Sequence, residues 1–173
     1  MNYGIAAHEI LLLDHFELSL ANQQSAHAVD EERLIAAARR VLQGSRFTSA
    51  SVSLAVVDDP TIHTLNRRYL GHDYPTDVLS FVLEQREDHL EGEVVFSADT
   101  AAAVAAEANH PAWTAAEEQL LYVIHGMLHL VGFDDRTEAD ALRMRAGEKF
   151  YLRQCGVELP GTAPHGESRA PSP

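Results

Sequence analysis

His125 and His129 stand four apart in the stretch HGMLHLVGFDD, residues 125 to 135. On a helix that spacing puts both imidazoles on one face, one turn apart. Gly132 follows where a helix can end in a left-handed turn. The chain can then fold back and carry Asp135 towards the two rings. Two imidazoles and a carboxylate form a zinc ligand set with a fourth position open to water, the pattern of catalytic sites. The same histidines could instead cap or pack inside an apolar helix with no ion. The added glycine and carboxylate favour the metal, so His125, His129 and Asp135 are the expected ligands of one Zn2+.

The spacing follows the zinc-peptidase template H-E-x-x-H-x-x-G-x-x-H at both histidines, the glycine and the last ligand. Gly126 stands in place of the glutamate that takes a proton from zinc-bound water, which disfavours peptide hydrolysis by that route. Asp135 stands in place of the third histidine.

These residues need an element to hold them. Thr114 and Glu117 read as a capping box opening a helix. Leu120, Leu121, Ile124, Leu128 and Val131 make that helix apolar nearly all round, so it should be buried. Strands are predicted over residues 15–22 and 51–57, from Val78, and over 92–98, the last two joined by a hairpin-like polar run from Glu84 to Glu91. Asp30 is a predicted N-cap for a helix that buries Leu34, Ala37, Ala38, Val41 and Leu42 and stops at Gly44. Asp59 and Pro60 start another, with proline at its first position and Ile62, Leu65 and Tyr69 inward. An alanine-rich helix follows over about 100–109. A last helix starts near Thr137 and should bury Ala139, Leu142, Ala146 and Phe150. Residues 5–13 match no element, and residues 159–173 form a proline- and glycine-rich tail expected to be disordered.

A length of 173 residues suits one domain with a sizeable core. The net charge of −13 argues against a general nucleic-acid binder but not against a local basic groove. Almost all the cations are arginine, whose fork suits phosphate, although genomic composition bias gives the same result. Cys155 is the single cysteine, so no internal disulfide forms and a reducing, cytoplasmic setting is expected. No window approaches the roughly 20 apolar residues of a membrane span. The first residues carry Glu9 and Asp14 and no basic region, unlike a signal peptide.

Two blocks, LNRRYLGHDYPTDVLSF at residues 65–81 and HGMLHLVGFDD at 125–135, with GEVVFS between them, resemble the YbeY family of bacterial ribosomal-RNA maturation factors. The order of elements agrees over residues 15–155. The resemblance implies an α/β single domain over residues 14–158, with a small mixed four-stranded sheet, about five helices and a buried metal-bearing helix. It implies a single-strand-specific, metal-dependent endoribonuclease. Such an enzyme acts in maturation of the 3′ end of 16S ribosomal RNA and in ribosome quality control. Its partners are single-stranded and ribosomal RNA, the small ribosomal subunit and its assembly factors.

Matched residue by residue, His125 and His129 stand at the first two zinc ligands and Asp135 at the third, normally histidine. Aspartate is an acceptable ligand that adds a negative charge and weakens the metal as a Lewis acid. The family arginine that holds RNA phosphate, after the tyrosine of the first block, is here Leu70, and a lysine two residues later is His72. Arg67, one helical turn earlier, is the expected catalytic replacement, with Arg68 second; both could equally belong to a solvated helix face. Thr76, Asp77 and Ser80 are expected to bind substrate beside the metal, or Pro75–Asp77 is simply a turn in which Asp77 caps backbone amides. One rival is a non-catalytic ribosome assembly factor with a structural metal, which a fourth protein ligand would favour. The other is a metallopeptidase.

Overall fold

The structure, a computed structural model, describes residues 14–108 and 110–160. Along the chain come β1 (His15–Asn22), α1 (Glu31–Gln43), β2 (Ser49–Val57), α2 (Asp59–Leu70), β3 (Val78–Gln85), β4 (His89–Ser97), α3 (Ala98–Ala108), α4 (Ala115–Leu130) and α5 (Glu138–Gln154). The strands form one sheet in the order β1-β2-β4-β3. β1 with β2 and β2 with β4 run parallel, while β3 and β4 form an antiparallel hairpin. This is the expected α/β domain with a mixed four-stranded sheet and five helices.

The central strands β2 and β4 end in continuous buried runs, Leu54–Val57 and Val94–Ser97. Burial on both faces explains why strict alternation is lost there. One face carries α1 and α4 on a core of Leu34, Val41, Leu54, Val94, Phe96, Ile124 and Leu128, among others. The other face carries α2 over a smaller cluster of Ala55, Val57, Ile62, Leu79 and Val95. The parallel pair β1–β2 is bridged by α1, whose N-cap Asp30 accepts a hydrogen bond from Arg33 N at 3.1 Å.

Several local expectations change. Gly44 ends α1 in the right-handed region at φ −84°; it is small because the Tyr151 hydroxyl occupies the space a Cβ would need. α2 is capped by Asp58, which accepts from Thr61 N at 2.9 Å, so Pro60 lies in the first turn but not at its first position. Tyr69 is exposed and meets Phe81 edge-on, while Asn66 takes the buried place and donates to the Tyr74 carbonyl at 2.8 Å.

α5 is rotated from the expected register. Ala139, Leu142, Ala146 and Phe150 face solvent, and Met144, Glu148 and Leu152 face the core. Val157 is buried and Leu159 packs on the core, one residue past the expected domain end. Residues 161–173 of the expected tail, and residues 5–13, lie outside the described residues. Among the described residues no helix is long and apolar enough to cross a membrane.

Candidate metal centre

α4 opens on a complete capping box between Thr114 and Glu117. From Glu118 to Leu130 every residue is buried except His125 and His129. Beyond its first turn the helix is held on all sides and opens to solvent only where the imidazoles stand. At Gly126 it approaches the sheet so closely that a Cβ would lie 2.5 Å from Val94 Cγ1 and 3.0 Å from Ser80 Oγ. The Ser80 hydroxyl donates to the Gly126 carbonyl at 3.2 Å. Gly126 therefore fits the helix-to-sheet approach, and a glutamate side chain has no room at that position.

The end of α4 builds the rest of the centre. Gly132 adopts φ 101° and donates to the His129 carbonyl at 3.1 Å, while Phe133 N donates to the Leu128 carbonyl at 3.0 Å. This pair of bonds is a Schellman motif, which needs a residue at positive φ. The reversal carries Asp135 back over the helix and places the Phe133 carbonyl against His129 Nδ1 at 3.1 Å. One turn thus supplies the carboxylate and orients a histidine.

The donor atoms converge. His125 Nδ1 lies 2.7 Å from a carboxylate oxygen of Glu148, an acceptor. His129 Nδ1 faces a carbonyl, also an acceptor. Both Nδ1 atoms must carry the hydrogen, so in the neutral rings both Nε2 lone pairs point into the same space. The two Nε2 atoms are 3.0 Å apart, and an Asp135 oxygen lies 3.8 Å and 3.7 Å from them. Two lone pairs and a carboxylate at these distances need a cation between them, either a proton or a metal. Around a tetrahedral zinc, ligand atoms would stand about 3.3–3.4 Å from one another, given bond lengths of about 2.0–2.1 Å. The set fits such an ion with small movements, and His125, His129 and Asp135 could hold it.

The titration of the pair follows from its surroundings. At His125, burial opposes charge, but the Glu148 carboxylate, with Asp77 and Asp135, more than offsets it and holds the pKa above 6.5. At His129, burial and the neighbouring His125 hold it below 6.5, against the pull of Asp135. Without a metal the pair therefore takes its first proton at His125. Glu148 was invisible to pattern reading because an acid inside a helix scores as solvent-facing. The signal was its place between Met144 and Leu152 at four-residue spacing.

Two of the ligands, His125 and Asp135, line a cleft of about 190 Å³ together with Asp77, Tyr122, Arg145 and Glu148, with apolar residues between them. Burial, then Glu118 and Asp77, push the Tyr122 phenol far up, so it stays neutral. Asp77 lines the cleft, and one of its oxygens accepts from Val78 N at 2.8 Å, the backbone-capping contact of a turn. Thr76 bonds to that Asp77 carboxylate at 3.2 Å. Ser80 is engaged with α4. Arg67 is exposed in the last turn of α2 and is not among the cleft-lining side chains. Asp134 turns to Arg136 at 3.5 Å and to its own chain, outside the converging set.

Fold and site together define an α/β domain with a three-ligand, metal-competent centre at the end of its buried helix. A model of the family described as Endoribonuclease YbeY matches residues 19–156. Relatives bearing that name include one from Moorella thermoacetica, 39% identical over 157 residues, covering 82% of this chain and 98% of its own. Another, from Rhodopirellula baltica, is 46% identical over 110 residues, which span 64% of this chain and 56% of that longer protein. The solution structure of a Thermotoga maritima protein shares the fold at a TM-score of 0.53 and 23% identity, covering 86% of this chain and 99% of that one. The chain belongs to the YbeY endoribonuclease family.

Proposed function

We propose that this chain is a zinc-dependent endoribonuclease that cuts single-stranded RNA. In the cell it would act in the cytoplasm on the 3′ end of 16S ribosomal RNA and in ribosome quality control, with the small ribosomal subunit and its assembly factors as partners. The observation that carries this reading is the pair of Nε2 lone pairs and the Asp135 carboxylate converging beside an open cleft.

His125, His129 and Asp135 hold the ion, and Glu148 and the Phe133 carbonyl fix which nitrogen each ring offers. When bound, zinc supplies Lewis acidity towards a phosphate oxygen and lowers the pKa of water. Ser80 and Gly126 set the distance between α4 and the sheet. Asp77 lines the substrate side of the cleft, with Thr76 bonded to its carboxylate, and Arg67 is a contact for phosphate outside it. A purely structural ion would call for a fourth protein ligand; the converging set among the described residues has three. Peptide hydrolysis on the glutamate template is disfavoured because Val94 and Ser80 fill the space beside Gly126.

The test is cleavage of a labelled single-stranded RNA and its duplex by zinc-loaded protein, with and without chelator, alongside His125→Ala. Metal-dependent cutting of the single strand, lost in the variant, supports the reading. Retention of zinc with no cutting under any condition moves the protein to the assembly-factor class.

A further inference from the structure

The cleft beside the metal centre is an unfavourable place for an anion. Three carboxylates line it, from Asp77, Asp135 and Glu148. The chain around it carries a net charge of −13. A dication on the ligands would offset two of these charges, and a phosphodiester entering this space needs further positive charge beside it. Apart from the histidine, the cleft-lining side chains include one cation, Arg145. Its place follows from the register of α5. Met144 and Glu148 point inward, and Arg145 flanks them on the edge that turns to the cleft.

The state of its guanidinium matters as much as its place. Neighbouring arginines are occupied: Arg143 pairs with Asp140, Arg136 with Asp134, and Arg153 with Glu158. Among the described residues Arg145 makes no ion pair or hydrogen bond, although carboxylates surround the cleft it lines. Lys149 stands one turn further along the same helix edge, exposed and also without an ion pair among the described residues. The two are four apart, about 6 Å along the helix axis.

We propose that Arg145 is the phosphate-contacting residue of the cleft, gripping the RNA backbone beside the metal ligands, and that Lys149 extends this contact to the next part of the strand. The proposal rests on the RNA reading above. Arginine suits the role because its planar fork can hold two phosphate oxygens while remaining charged. An uncommitted guanidinium at the mouth of an acidic cleft also offsets negative charge that would repel the strand.

The experiment is fluorescence anisotropy with a labelled single-stranded RNA of about twelve nucleotides, at several salt concentrations. Parent, Arg145→Ala, Arg145→Lys and the distant control Arg86→Ala are compared, metal-free and zinc-loaded, with zinc content and thermal midpoint measured on each. One lost phosphate contact on a single strand lowers the log–log salt slope by about 0.7 and weakens binding about fourfold near 0.15 M salt. Arg145→Ala should show both changes at unchanged zinc content and midpoint. Arg145→Lys should restore the slope, and Arg86→Ala should match the parent. Parent-like affinity and slope in Arg145→Ala overturn the proposal while leaving the RNA reading standing. A parent that binds no single-stranded RNA overturns both.

Discussion

Glu148 offers a sharp test of how the centre is built, because its role is visible only in three dimensions. Replacing Glu148→Gln keeps the shape of a side chain that is 12% exposed and lies 2.7 Å from His125 Nδ1. An amide oxygen can still accept from Nδ1, so the ring keeps its orientation, but the charge that makes Nε2 a stronger donor is gone. Loss of such a supporting carboxylate costs about 10–100-fold in metal affinity, about 1.4–2.7 kcal/mol. The lower end is expected here. The substitution also lowers the His125 pKa, so the proton that competes with the metal is held less tightly. We expect zinc to bind about tenfold more weakly in Glu148→Gln. Glu148→Ala should be weaker still, because the ring loses its anchor. Competition against a chromogenic chelator at fixed pH reads this directly, with circular dichroism to confirm the fold. Zinc affinity within about twofold of the parent in both variants would refute the idea that Glu148 orients and polarises His125.

Three other outcomes follow from the same geometry. Asp135→Ala should weaken zinc binding by leaving two protein ligands, and Asp135→His should retain or strengthen it; equal affinity of Asp135→Ala and parent, by the same competition assay, would remove Asp135 from the ligand set. Gly126→Ala gains about 1 kcal/mol of helix propensity but forces a methyl against Val94, at about 1–3 kcal/mol. The expected net loss of up to about 2 kcal/mol should lower the thermal midpoint by up to about 6 °C, and a midpoint above the parent's would contradict the close approach. Zinc affinity should depend on pH through His125. Below its raised pKa the metal must displace a proton, so affinity should climb by up to about tenfold per pH unit and then level off at a pH above 6.5. Isothermal titration in buffers of different ionisation enthalpy counts the released proton; no release below that pH would contradict the pairing with Glu148.

Much of this architecture was legible in the chain. His125, His129 and Gly132 announced the shared helix face and its left-handed stop, because those features depend on spacing and on one backbone angle. The strands were found where alternation or a short apolar run was bounded by turns, although β4 begins at His89, ahead of the apolar run that signalled it. The register of α5 is ambiguous in the sequence because the helix carries two apolar rows. The row through Leu142, Ala146 and Phe150 is more hydrophobic, yet the core took Met144, Glu148 and Leu152, since Glu148 has a partner inside that offsets the cost of burying it. The sequence does not mark Arg145 for the same reason: its direction depends on that register. Gly126 read as a missing catalytic acid, while its steric role required knowing that Val94 lies opposite. Tyr69 read as core, but the buried place of that helix face went to Asn66, which ties the following loop to α2.

The claim on which the rest depends is that His125, His129 and Asp135 bind one ion and leave a position open. Zinc K-edge X-ray absorption on the zinc-reconstituted protein measures that shell directly. It should give two imidazole nitrogens at about 2.0–2.1 Å, with the remaining ligands oxygen at about 2.0–2.2 Å and exchangeable solvent among them. A protein that takes up no zinc on reconstitution, or a shell containing sulfur or closed by a third imidazole, would contradict the account.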